Sequence, residues 1–247
     1  MSNLLYLVRH GENVANLTKE FSFRKVDYSL TARGRLQAEQ TGDLFAGKKV
    51  DAIYSSPLKR ALETAEIISG KIGVPFYVDE AFREINIGAL EDMPPTAATW
   101  DIHNRIIAEW FRGNHSARFP EGDDYHSLWR RFQNGLERAL DGRENQHVMI
   151  VGHSGMFTMV MGDFCSLEAV EDIHSVENKN CSITTVEVER ANHAYIGRLI
   201  RWADADHLHG EAAIQTPIFL EGSVADLFPS DDKGRDDACD CNIGGGF

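Results

Sequence analysis

The sequence predicts an α/β fold, a three-layer α/β/α sandwich whose central sheet is mostly parallel. Three observations predict it. Short apolar runs alternate with helix-period segments between residues 4 and 78. A second apolar run, residues 147–151, leads into Gly152-His153, much as the first leads into Arg9-His10-Gly11. The stretch between them, residues 92–143, reads as helical and is expected to be a cap inserted over the sheet edge.

The elements follow in order. Leu4-Leu5-Tyr6-Leu7-Val8 reads as a buried strand, and a polar loop covers residues 12–29. Thr31 is placed to cap a helix that runs to about Phe45, with Leu36, Gln40 and Leu44 among its spacings. Residues 50–54 form a short strand ending at Ser55-Ser56-Pro57. A helix over residues 58–72 carries Leu62, Ala65, Ile68 and Ile72 on one face, and 74–78 is another strand. Residues 96–111 and 125–140 have helical spacing, broken by Arg118-Phe119-Pro120-Glu121-Gly122. The strand 147–151 ends at Gly152-His153-Ser154-Gly155, and a helix with Met156, Met159 and Met161 follows, its methionines read as core. Residues 182–188 and 194–202 finish as two strands, a hairpin around Ala191-Asn192. The domain is expected over residues 1–205, with an acidic, partly ordered extension over 206–247. That extension packs on the body or on a partner subunit in this reading.

Composition narrows the function. The 247 residues are 43% hydrophobic and 26% charged, which suits a globular protein with a sizeable core. A formal net charge of −13 argues against nucleic acid and anionic membrane as partners. An acidic protein that binds phosphate must concentrate a few cations locally, and such a pocket favours a small phosphorylated metabolite. No apolar stretch has the length of a membrane span, and the first strand starts too early for a signal peptide. Cys165, Cys181, Cys239 and Cys241 lack metal-site spacing, so a reduced, cytoplasmic protein is expected. The oligomeric state is open, with a homodimer as the common default.

Arg9-His10-Gly11 is the most informative local feature. A strand that runs into it sets a guanidinium and an imidazole at the carboxyl edge of the sheet, where ligands bind. The guanidinium can hold phosphate oxygens bidentately and the imidazole can attack phosphorus. Gly11 permits a sharp turn or a close approach. His153 ends a second strand, and the chain after Tyr54 leads to Arg60. Neighbouring strands would gather two imidazoles and two guanidiniums around one point, a costly arrangement unless an anion fills it.

Read singly, these residues have plainer meanings. Arg60 could pair with Glu63 or Glu66, Glu84 could be a solvated acid, and His153 a satisfied core histidine. Arg24 and Lys25 could touch substrate charge or be solvated. His207-Leu208-His209 without a third ligand is read as surface, and Cys239-Asp240-Cys241 as tail chemistry of no consequence.

Taken together, the blocks resemble the histidine phosphatase superfamily, the phosphoglycerate-mutase-like family. The matching stretches are Leu7-Val8-Arg9-His10-Gly11-Glu12 with Asn16; Leu30-Thr31-Ala32-Arg33-Gly34 with Gln37-Ala38; Tyr54-Ser55-Ser56-Pro57-Leu58-Lys59-Arg60-Ala61 with Thr64-Ala65; Arg83-Glu84 with Gly88; and Val151-Gly152-His153-Ser154-Gly155. The resemblance implies a phosphoglycerate-mutase-like fold and a phosphohistidine formed on His10. It implies that Arg9, Arg60 and His153 hold the phosphoryl oxygens. Glu84 would protonate the leaving oxygen and then help activate water. Asn16 and Ser154 would add contacts to the phosphate. No cofactor and no metal is implied.

Within the family the chain is closer to the phosphatase branch. The mutase pattern of paired arginines is replaced by scattered Arg105, Arg112 and Arg118, and Phe119-Pro120-Glu121-Gly122-Asp123 precedes a helix. Ala89 stands where a Trp is often found after Gly88. The expected activity is a metal-independent phosphomonoesterase acting on a small soluble ester. A cofactor-dependent phosphoglycerate mutase is the first alternative. A non-catalytic phospholigand-binding scaffold is the second.

Overall fold

The computed structural model describes residues 2–166, 173, 176–191 and 194–216. In chain order it contains β1 (Asn3–Arg9), α1 (Val14–Thr18), α2 (Ala32–Phe45), β2 (Ala52–Ser55), α3 (Lys59–Ile72), β3 (Phe76–Val78) and α4 (Ala97–Phe111). Then come α5 (Tyr125–Leu140), β4 (His147–Gly152), α6 (Ser154–Phe164), β5 (Cys165–Ser166), β6 (Ile183–Ala191) and β7 (Ala194–Asp204). Short 3-10 turns cover Glu80–Phe82, Gly88–Asp92 and Gly210–Ala213.

The strands form one seven-stranded sheet in the order β3-β2-β4-β1-β6-β7-β5. β3, β2, β4 and β1 are parallel, β5 is parallel to β7, and β6 is antiparallel to both β1 and β7. The sheet is therefore mostly parallel, with β6 alone running against the rest. Side chains alternate across it as the period of a strand requires. Leu5, Leu7, Val148 and Ile150 enter a core shared with α4, α5 and α6. Val8, Met149, Val151 and Ile53 enter a second core under α2 and α3. These are the three layers, and Met156, Met159 and Met161 are buried in the first core.

The helices of the segment expected to form a cap divide between two tasks. Both begin on side-chain caps, Thr96 for α4 and Asp124 for α5. The α5 face of Leu128, Phe132 and Leu136 lies in the core against the sheet. By contrast, α4 turns Trp100, His103 and Ile107 toward a cavity at the sheet edge.

Three details differ from the sequence reading. The polar loop 12–29 contains the one-turn helix α1, made by a reciprocal capping box between Asn13 and Asn16. In α2 the most buried residues include Gln37, Ala38, Thr41 and Phe45, whereas Leu36, Gln40 and Leu44 are only half-buried. The reason is that α2 is covered twice. Phe45 faces the sheet core, while Gln37 donates to the Ala212 carbonyl and Thr41 meets His207 Nε2 at 2.9 Å. An apolar-only pattern cannot register a helix buried between a sheet and a hydrogen-bonding strap. In α3 the buried face is Ala61, Thr64, Ala65 and Ile68, with Leu62 and Ile72 at its margin.

The strap itself lies beyond residue 205. Leu208 and Ala212 pack with Leu30, Ala38 and Cys181. His207 is thus tied to α2. Residues 217–247, including the acidic run, Cys239 and Cys241, lie outside the described residues, as does Asn192. No helix among the described residues is long and apolar enough to cross a membrane.

Gly11 and Gly34 let the turn after β1 and the first turn of α2 touch backbone to backbone. A β-carbon on Gly34 would overlap the Glu12 carbonyl, and one on Gly11 would overlap the Gly34 carbonyl. Gly34→Ala is accordingly expected to destabilise the fold by about 1–3 kcal/mol, as overpacking does. A urea titration should show the lowered midpoint at unchanged slope.

Candidate active site

The register of the central strands builds the site. Arg9 stands beside Gly152, and Ser55 beside Val151, so β1, β2 and β4 end at one level. The ladder continues one residue further, with His10 N–H donating to the Gly152 carbonyl and Ser56 N–H to the Val151 carbonyl. His10, Ser56 and His153 therefore meet at the carboxyl edge. The His10 and His153 rings are 5.2 Å apart.

His10 is buried and oriented from both nitrogens. Nδ1 lies 2.7 Å from the Gly11 carbonyl, an acceptor only, so Nδ1 carries the proton. Nε2 is left with its lone pair and accepts from Arg60 Nε at 3.1 Å. Burial, then the charges of Arg60 and Arg9, hold His10 well below the ordinary histidine range. Thr64 Oγ1 accepts from Gly11 N–H at 3.0 Å and fixes the turn behind the ring.

His153 is fully buried and bonded through Nε2 to Ser56 Oγ at 2.7 Å. Ser56 Oγ also accepts from Leu58 N–H, which leaves its own hydrogen to donate to Nε2. The His153 proton then sits on Nδ1, which meets no partner among the described residues. Burial, followed by the charges of Arg60 and His10, pushes this histidine down as well.

Two buried guanidiniums complete the polar floor. Arg60 donates to Ser22 Oγ and to the Ser22 carbonyl, both at 2.8 Å, and not to Glu63, which pairs with Arg35. Arg9 donates to the Asn178 carbonyl, and its Nε has no partner among the described residues. Burial pushes each of them down to about 10, so both remain cations at neutral pH.

Glu84 reaches the head of α6. Oε1 accepts from Ile85 N–H and Met156 N–H, and Oε2 from Gly155 N–H. A carboxylate thus occupies the anion place of that helix. Oε2 accepts only one of these bonds, and Glu84 lines the cavity. Gly155 is required for this fit, since a β-carbon there would press on the carboxylate.

Asn16 lines the cavity, and its Oδ1 accepts from Asn13 N–H and Asn180 Nδ2. Ser154 lines it from the first position of α6. Arg24 and Lys25 pair with Glu91 and Asp92. Arg105, Arg112 and Arg118 pair with Asp101, Glu109 and Asp124. None of these five lines the cavity.

Sequence reasoning missed the supports. Glu91 Oε1 collects the N–H groups of Phe23, Arg24, Lys25 and Val26, at 2.6–3.2 Å, and so shapes the loop that presents Ser22. Burial alone would raise that carboxyl, but the four donors outweigh it and hold it below the usual range. Arg131 donates to the carbonyls of Ala81, Arg83 and Glu84 and to Asp123, clamping the Glu84 loop. Asn180 Nδ2 donates to the His10 carbonyl. Such partners are backbone atoms, which leave no residue pattern to find.

The cavity above this floor measures about 400 Å³. Arg9, His10, Asn16, Arg60, Glu84 and Ser154 line it, whereas His153 lies outside the lining.

Residues 5–199 match the family model of the histidine phosphatase superfamily, branch 1. A protein of Erwinia tasmaniensis named probable phosphoglycerate mutase GpmB is 28% identical over 84% of this chain and 96% of its own. A protein of Hydrogenobacter thermophilus that carries the name of a phosphoserine phosphatase is 30% identical over 79% of this chain and 95% of its own. Among solved structures, YhfR of Bacillus stearothermophilus superposes with a TM-score of 0.67 at 26% identity, over 83% of this chain and 98% of its own. With its parallel sheet edge, paired imidazoles and matched sequence blocks, this chain belongs to the histidine phosphatase superfamily.

Proposed function

We propose that the protein is a phosphomonoesterase that needs no metal and works through a phosphohistidine on His10. The observation that carries this reading is the His10 ring itself. Nδ1–H is spent on the Gly11 carbonyl, and Nε2, neutral and lone-paired, faces the guanidinium of Arg60. That is a nucleophile with its tautomer set and an electrophile's counter-charge already beside it.

The steps use this chain's own groups. An ester phosphate enters between Arg9 and Arg60, which supply the positive charge that phosphoryl transfer needs. Arg60 Nε shifts its hydrogen bond from His10 Nε2 to a phosphoryl oxygen, and Asn16, which lines the cavity, is placed to add a donor. Nε2 attacks phosphorus, a P–N bond forms, and the ester P–O bond breaks with its electron pair left on oxygen. Glu84, the carboxyl group that lines the cavity, is placed to deliver a proton to that oxygen, and the alcohol leaves. The Gly11 carbonyl steadies the cationic ring of the intermediate. Water then attacks phosphorus and gives a proton to Glu84. The P–N bond breaks, neutral His10 returns and inorganic phosphate departs.

Support for hydrolysis over mutase chemistry comes from the cavity. A phosphoglycerate mutase must grip a carboxylate, and the candidate arginines are paired with acids elsewhere. The scaffold reading draws no support from the site, since His10, Arg9, Arg60 and Glu84 all line the cavity.

Phosphate release from simple esters is expected to persist in EDTA and to fall by at least about 10³-fold in His10→Ala. Primed conversion of 3-phosphoglycerate to 2-phosphoglycerate, with no release, would establish the mutase instead. Glu84→Gln should slow alkyl esters by about 10²-fold but p-nitrophenyl phosphate much less, because nitrophenolate leaves without a proton. A pH profile tests the nucleophile. His10 lies below the ordinary value of 6.5 when folded, so it stays neutral as pH falls through that value. Corrected for ester ionisation, kcat/KM should drop by less between pH 7 and 6 than the roughly threefold loss of an ordinary histidine.

A further inference from the structure

The polar floor occupies one end of the cavity, and the remaining wall has a different chemistry. Phe21, Trp100, His103, Ile107, Phe111 and Met159 line it. The rings are already packed on one another, Phe21 to Trp100 at 4.4 Å and Trp100 to His103 at 5.2 Å. Trp100 Nε1 donates to the Lys19 carbonyl at 3.1 Å, which ties α4 to the end of α1 and fixes the wall. His103 adds no charge at neutral pH, since burial holds it down to about 4.

Charge beyond the floor is also informative. Apart from Arg9 and Arg60, Lys19 is the only Lys or Arg lining the cavity among the described residues, and Glu177 acts on it. Glu20 and Glu177 line the same space. A carboxylate on the leaving group would meet two acids and one already compensated cation, or be stripped of water against rings. An uncharged apolar group would gain the burial instead. The volume, about 400 Å³, is in the range that holds a drug-sized ligand.

We infer that the substrate is a phosphate monoester whose leaving group is aromatic or bulky, apolar and uncharged, and that this ring-lined wall sets the specificity. The inference rests on the phosphatase reading above. Leaving groups of equal basicity isolate the wall from the chemistry, so the test compares 2-(1-naphthyl)ethyl phosphate, ethyl phosphate and 3-phosphoglycerate. The naphthyl ester should exceed both others by at least about tenfold in kcat/KM, mainly through KM. Phe111→Ala and Ile107→Ala should each lower kcat/KM for the naphthyl ester about tenfold more than for ethyl phosphate. Phe111→Arg should raise 3-phosphoglycerate turnover. Equal or better use of ethyl phosphate or 3-phosphoglycerate by the unmodified protein would overturn the wall and leave the phosphatase standing. If no ester were hydrolysed, the phosphatase reading would fall. Calorimetry with 2-(1-naphthyl)ethylphosphonate against ethylphosphonate then decides the wall alone, and equal affinities would overturn it.

Discussion

Two imidazoles kept uncharged beside two buried guanidiniums are the condition on which this site depends. Protonated, His10 would have no lone pair to offer and the sheet edge would hold three or four cations out of water. The structure prevents this by burial and by the order of its hydrogen bonds. Gly11 takes the proton side of His10, Ser56 fixes the Nε2 side of His153, and the carbonyls of Ser22 and Asn178 take up the guanidinium donors. The charge that remains uncompensated is the charge a phosphate dianion brings.

Around that centre, function lives on loops, and buried charges hold the loops still. Glu91 gathers four N–H groups of the 23–26 turn, so the Ser22 that steadies Arg60 is itself fixed from 69 residues downstream. Arg131 does the converse for the Glu84 loop by gathering carbonyls. An acid collecting donors and a base collecting acceptors are two solutions to one need, which is to satisfy loop backbone where water is scarce. The head of α6 then receives the Glu84 carboxylate, which connects the loop to the strand-helix turn bearing His153.

The sequence showed the parts of this design that obey a period or a motif. The apolar strands, the cap Thr31, and the strand ends carrying His10 and His153 were legible because side-chain type alone specifies them. Arg60 and Glu84 became legible only in the company of their neighbours, because a lone surface arginine or glutamate looks the same. The buried polar face of α2 was hidden, since Gln37 and Thr41 read as solvated until a strap from residues 207–215 covers them. Glu91 and Arg131 were hidden for another reason. Most of their partners are main-chain atoms, and any sequence offers those. The ring-lined wall was hidden because α4 could have turned either face to the cavity.

The position of β1 has a consequence for how the molecule comes into being. The strand that carries His10 lies in the middle of the sheet, with Leu4 paired to His147 on one side and Glu187 on the other. During synthesis its two neighbours are the better part of a chain away. Until those neighbours are made its apolar residues lack their sheet partners, and pairing over so long a separation is slow. By the same token no N-terminal fragment can assemble the phosphate site. β1 finds its place only once residues 183–188 exist to pair with it, so a chain cut short of them leaves His10 on a sheet edge.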